Sequence, residues 1–291
     1  MAEIKYNITL SKEDALKRIL LNWAKQYNTP EFIDKDPIQV PRLYHNKKDI
    51  EICAFVTSWI AWGSRKQIIK TAMHISNDMF QGEPYKYIIE RKYDCYRHNK
   101  SCLYRTYTHA DFYQLCDCLF SVYSLGMDLE DAVNDVMGRD HRETPLSALQ
   151  LIFSETKGIP MPGSKSACKR LCMFLRWMVR TDHIVDLGIW ETLSQRDLII
   201  PLDTHVHYVA QAVEITTRNQ ADMKTAIEIT DYFRKLIPDD PCLGDFALFG
   251  AGVAATNFHL ICHQCGRLYD EFDSEADRSD LFCCKACENG Y

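Results

Sequence analysis

The chain has 291 residues, 46% hydrophobic and 25% charged, with a formal net charge of −6. That is globular composition, enough for one large domain or two lobes with a small appendage. No apolar run reaches the roughly 18 residues of a membrane span, and Met1 to Leu10 lacks a signal-peptide core. With thirteen cysteines and no secretory context, the expectation is a cytoplasmic protein with reduced thiols.

In chain order, Glu13 to Tyr27 places Ala15, Ile19, Leu20 and Trp23 at helical spacing after a Ser11 cap. Asp36-Pro37 and Val40-Pro41 mark a loop. Ile50 to Trp62 is apolar almost all round, which predicts a central buried helix ended at Gly63. Ser64 to Phe80, Phe112 to Tyr123 and Leu129 to Met137 read as amphipathic helices, whereas tyrosine-rich Glu83 to Tyr107 fits no single period. A turn at Ile159 to Gly163 feeds a predicted helix from Ser164 to Arg180. An irregular apolar link, Trp190 to Ile200, leads to a helix at Asp203, and Met223 to Ile237 and Cys242 to Gly252 close the helical part. Alternating strand patterns are scarce, so the fold class is all-α. The boundary falls near Phe258, giving a helical domain over 1–258 and a cysteine-rich acidic tail over 259–291.

The charge is uneven. From Cys262 onward seven acids face three bases, whereas Gly163 to Arg180 holds five bases and no acid. In that predicted helix Leu171, Phe174, Leu175 and Met178 form an apolar stripe. Lys165, Lys169, Arg176 and Arg180 form a second stripe on another face. A solvated cationic face is the plain reading. Four cations without a carboxylate at pairing distance repel one another, and a polyanion would relieve that. The turn and helix start at Gly163 and Ser164 would offer free backbone N–H groups to a phosphate.

Val206, Val209, Ala210 and Val213 give the stripe of a helix beginning at Asp203. Taken alone, Asp203 is an N-cap accepting from residues 205 and 206. A capping carboxylate is also held rigidly and kept ionised, and the preceding Leu198, Ile199, Ile200 and Leu202 place it at a pocket wall. His205 and His207, two apart, point to different faces and suit packing or a pocket rim better than a metal. An amine from Lys169 with this carboxylate beside it is the pair required to displace a base from a sugar and hold the sugar as a Schiff base.

Pro201-Leu202-Asp203-Thr204-His205-Val206 resembles the aspartate motif of the helix–hairpin–helix DNA glycosylases. The 34-residue separation of Lys169 and Asp203 is similar to that in the archaeal 8-oxoguanine glycosylase branch. The run Lys169 to Arg180 and the later Asp245 to Gly250 resemble the signature of an uncharacterised bacterial family with the same arrangement, a likeness covering about residues 37 to 253. The resemblance implies a two-lobed glycosylase domain with Lys169 as nucleophile and Asp203 as the essential carboxylate. Its substrate would be double-stranded DNA containing a damaged base, 8-oxoguanine first, with lyase activity following base removal. Two features depart from the pattern. No glutamine stands near Ser58 to Trp62, where the superfamily probes the duplex, and the position one turn after the lysine is Met173, with Phe174 beside it, instead of a stacking aromatic. Trp59 and Trp62 are then candidate base-stacking surfaces, although tryptophans on an apolar helix are core more often than not. With Met173, Phe174 and His205 they make the expected base pocket; Gly163, Ser164, Lys165, Arg176 and Arg180 make the expected DNA grip. A free lysine titrates near 10.4, leaving about one in a few thousand neutral at pH 7. Burial and the like charges of Arg176 and Lys165 are the expected help for the amine.

Cys262-His263-Gln264-Cys265 and Cys284-Lys285-Ala286-Cys287 lie 18 residues apart. C-x2-C, a gap of this length and C-x2-C is a four-thiolate zinc pattern, so Cys262, Cys265, Cys284 and Cys287 are read as a structural zinc ribbon, with Cys283 a spare. The spacing is too wide for the C-terminal iron–sulfur clusters of some superfamily relatives. Asp270 to Asp280 would repel DNA, which makes the tail a lid or partner surface. Two rival readings stand beside the enzyme: a non-catalytic nucleic-acid-binding protein on the same scaffold, and an interaction protein in which Lys169 is a surface charge and Asp203 only a cap.

Overall fold

A computed structural model describes residues 12–254, 260–261 and 268–269. Among the described residues the chain is mostly helical: α1 (Lys12–Tyr27), α2 (Pro30–Ile33), α3 (Lys47–Trp59), α4 (Arg65–His74), α5 (Pro84–Ile89) and α6 (His109–Tyr123), then α7 (Leu129–Arg139), α8 (Pro145–Ile152), α9 (Lys169–Val179), α10 (Thr204–Ala212), α11 (Met223–Leu236) and α12 (Leu243–Ala254). Two short antiparallel pairs complete it, β1 (Cys102–Tyr104) with β2 (Tyr107–Thr108) and β3 (Leu260–Ile261) with β4 (Leu268–Tyr269). No described helix is long and apolar enough to cross a membrane. The expected Ser11 cap and the four cysteines read as zinc ligands lie outside the described residues.

The all-round apolar segment becomes α3, in which every residue from Ile50 to Trp59 is buried. Phe55 stacks on Phe153 at 3.9 Å and meets Phe174 edge-on at 5.1 Å, joining α3 to α9. One acid lies inside this helix. Glu51 is fully buried and accepts from the Trp190 indole N–H at 2.7 Å, the Tyr123 hydroxyl at 2.8 Å and Leu129 N–H at 3.1 Å. Burial first, and the charge of Asp128 second, push its carboxyl up to about 7. The surrounding helices start where short polar side chains satisfy free N–H groups: Thr108 with Asp111, and Asp128 with Asp131, form reciprocal capping boxes.

Tyrosine-rich Glu83 to Tyr107 is not one element but parts of four: α5, a 3-10 turn at Lys92–Tyr96, β1 and the first residue of β2. The expected Ser64–Phe80 helix is α4 continued by a π turn, Ile75–Met79. The predicted Ser164–Arg180 helix is shortened at its start. Ser166 bridges Asp222, Lys165 C=O accepts from Met223 N–H at 3.1 Å, and Cys168 takes a left-handed φ of 49°. Residues 164–168 carry no apolar stripe, so pairing with the start of α11 outweighs local helix formation.

Candidate active site

Lys169 is the first residue of α9. The helix is fixed behind it by buried Leu171, Cys172, Phe174, Leu175, Trp177 and Met178. Asp203 is the N-cap of α10, accepting from Val206 N–H at 2.9 Å. The link before it is pinned: Leu198, Ile200 and Leu202 are buried, and Ile200 N–H donates to Thr230 Oγ1 at 3.1 Å. Two helix starts far apart in the chain therefore present their first side chains to one another. Lys169 Nζ lies 3.9 Å from Asp203 Oδ2, with the side chains 37% and 14% exposed. Both line one cavity of about 710 Å³, within the ~300–1,000 Å³ typical of small-molecule sites.

Two further carboxylates line this cavity and were not singled out by the sequence. Asp36, in the loop before α3, is buried and accepts from Ile38 N–H at 3.0 Å; burial raises its carboxyl. Asp245, in the first turn of α12, is buried and paired with Arg176. Burial pushes Asp245 up to about 7, with Arg176 opposing and Asp203 adding to the rise. The available signal was a lone acid in the otherwise uncharged stretch Leu243 to Ala254.

The expected DNA grip divides. Arg176 and Arg180 do not form a solvated stripe. Their side chains are 4% and 1% exposed: Arg176 Nε pairs with Asp186 at 3.1 Å and its Nη1 with Asp245, while Arg180 pairs with Asp182, Asp186 and Asp240 at 2.5–2.8 Å. The Phe246 ring lies 4.5 Å and 4.9 Å from the two guanidiniums. These cations are structural, and Arg176 is neutralised instead of pressing on the Lys169 amine as a like charge. Gly163, Ser164 and Lys165 are exposed, but they sit in a turn and extended segment and not at a helix start, so the expected seat for a phosphate is absent there.

The expected base pocket divides as well. Trp62, Met173 and His205 line the cavity. Phe174 is 0% exposed and packs edge-on to Trp190 at 5.5 Å. Trp59 is core, stacked on Tyr107 at 4.2 Å with its indole N–H donated to Lys157 C=O at 2.8 Å. His207 bonds Arg218 C=O at 2.8 Å, a packing role. Phe249, one turn beyond Asp245, supplies an aromatic wall that the sequence reading passed over.

No group of acids, histidines and cysteines among the described residues is arranged to hold a metal. The arrangement can present an amine to an electrophilic carbon with a fixed carboxylate alongside it. Neither a curated protein nor a solved structure matches the sequence. A family model described as "Protein of unknown function (DUF2400)" matches residues 36–254, which takes in the cavity, Lys169 and Asp203. The chain belongs to the DUF2400 family.

Proposed function

We propose that the protein is a two-lobed DNA glycosylase of the helix–hairpin–helix kind with associated lyase activity. It works in the cytoplasm on double-stranded DNA and removes a damaged purine, 8-oxoguanine first. The observation that carries this reading is the approach of Lys169 Nζ to within 3.9 Å of Asp203 on the wall of one cavity. An everted nucleotide brings its C1′ to the amine. The Lys169 nitrogen lone pair bonds to C1′ while the bond from C1′ to the base breaks, its electron pair leaving with the base, which takes up a proton. Asp203 stabilises the positive charge growing on the sugar and relays a proton from the amine. Opening of the sugar ring leaves a Schiff base on Lys169; loss of the C2′ proton then expels the 3′ phosphate, and water frees the lysine.

Borohydride reduces such a Schiff base to a stable amine. Incubated with lesion-bearing duplexes and borohydride, the wild-type protein is expected to give a covalent protein–DNA adduct. Lys169→Gln is expected to bind the same duplex and give none; an adduct that persists in this variant removes the assignment. Binding by the wild type without any adduct would instead identify a non-catalytic binder on the same scaffold. The tail is proposed to be a zinc ribbon on Cys262, Cys265, Cys284 and Cys287, on the strength of its two C-x2-C pairs. Native mass spectrometry is expected to find one zinc per chain, and iron or bare thiols would overturn that.

A further inference from the structure

Two aromatic side chains that line the cavity, Trp62 and Phe249, each have a guanidinium over the ring, and Arg65 lines the cavity as well. Arg105 lies 4.4 Å over the Trp62 ring, and Arg65 lies 5.0 Å over the Phe249 ring. Other cations around the site are committed. Arg176 is held by Asp186 and Asp245, and Arg170 donates to Trp59 C=O, Gly158 C=O and the Tyr107 hydroxyl. Arg65 and Arg105 are in no ion pair among the described residues; Arg65 donates to Lys35 C=O at 3.4 Å, and Arg105 bonds the Tyr104 hydroxyl.

The placement of Arg105 is built, not incidental. It sits at the tip of the β1–β2 hairpin with a left-handed φ of 53°. That hairpin is anchored by Tyr104 Oη donating to Trp62 C=O at 2.6 Å and by Lys157 Nζ donating to Thr106 C=O at 2.7 Å. Gly63 has φ +97°, and a Cβ there would overlap the Arg105 guanidinium. Glycine at that position therefore lets Arg105 reach the ring. The Trp62 indole N–H is buried with no hydrogen-bond partner, a donor left unmade on the wall of the cavity.

We propose that Arg65 and Arg105 are a phosphate clamp for the two phosphodiesters flanking a nucleotide whose base enters the cavity. This rests on the glycosylase reading above. Each guanidinium covers a flat aromatic face, a contact weak enough to exchange. A planar base competes for the same faces. The displaced guanidiniums turn outward to the mouth, where charge-assisted bonds to phosphate oxygens replace the ring contacts. The clamp takes the place of Arg176 and Arg180, which the fold withdraws from the surface.

The test uses the full chain and a duplex carrying 2′-fluoro-8-oxo-2′-deoxyguanosine, which keeps its base but resists cleavage of the bond between base and sugar, so no Schiff base forms. Its dissociation constant is followed between about 50 and 200 mM salt. Arg65→Ala and Arg105→Ala are each expected to lower the slope of log K against log salt by about 0.9, the double variant by about twice that. Arg105→Lys is expected to restore the slope, and Arg139→Ala, an exposed cation paired with Asp135, to keep the wild-type slope. A nucleoside monophosphate that competes equally with wild type and Arg65→Ala/Arg105→Ala places the clamp on the backbone; competition lost in the double variant makes it a mononucleotide site and overturns the backbone assignment. If wild type traps with borohydride and both single variants keep the full slope, the clamp falls and the glycosylase reading stands. If wild type shows neither salt-dependent binding nor trapping, both fall.

Discussion

The two ends of α9 carry cations to opposite fates. At its first residue Lys169 keeps one carboxylate 3.9 Å away and more than a third of its side chain exposed. Two and three turns later Arg176 and Arg180 lie among Asp182, Asp186, Asp240 and Asp245 with almost no exposure. A desolvated guanidinium needs its donors matched by fixed acceptors, and here every matching group arrives from another element. A reactive amine needs the reverse: one orienting partner, an open face and room for a substrate. A stripe of like residues on one helix is therefore not one surface. The lesson is that charge spacing along a helix locates cations without saying which of them are spoken for.

The largest expected effect tests the buried end. Arg180→Ala strands Asp182 and Asp240 and leaves Asp186 with Arg176 alone, and removing one side of a buried ion cluster costs about 3–5 kcal/mol. Urea unfolding followed by circular dichroism measures it. A cost below about 1 kcal/mol would mean the cluster is solvated and the contrast between the two ends is false.

A smaller effect comes from protons. Glu51 in the core and Asp245 at the cavity are both raised to about 7, mainly by burial. The folded state holds these protons where the unfolded chain, titrating near 4.5 and 3.8, has released them. Their contribution to stability is present below those lower values and is lost as pH rises through about 7. Asp182 and Asp111, which are lowered, act the other way and only in more acid solution. Stability is expected to fall by about 2 kcal/mol between about pH 6 and 7, at 1.36 kcal/mol per unit for each group while it is protonated in the folded state. The Tyr123 hydroxyl favours the Glu51 anion, so Tyr123→Phe is expected to move the loss to higher pH. Urea melts at stepped pH read both, and a stability that rises over that interval overturns the assignment.

What the sequence disclosed follows the same division. The all-round apolar run became α3, the Asp203 stripe became α10 with its cap, and the lysine and aspartate lie 3.9 Å apart. Each of these depends on local pattern or on one strong pairing. The sequence could not disclose that Arg176 would meet Asp245, 69 positions on, or that Ser166 would pair with Asp222 and unwind the helix start. Arg105 is hidden for the same reason, since only the hairpin fold carries it to Trp62. Asp36 looked like loop punctuation beside a proline, and its burial on the cavity wall comes from packing of remote elements.

The smallest expected change in stability separates the two duties of Asp203. As an N-cap it satisfies Val206 N–H; as a charge it faces Lys169. Asparagine caps about as well as aspartate, while alanine at a cap costs about 1 kcal/mol. Asp203→Asn is therefore expected to unfold within about 0.5 kcal/mol of wild type, whereas Asp203→Ala loses the full cap. If the carboxylate is needed only for capping, borohydride trapping in Asp203→Asn stays at the wild-type rate. If it carries the proton and stabilises the charged sugar, trapping slows by about 10²–10⁴ in a protein whose fold is untouched. The asparagine variant thus puts the boundary between structure and chemistry on one oxygen atom. A variant that is stable and fully active would leave Lys169 without a partner in the reaction.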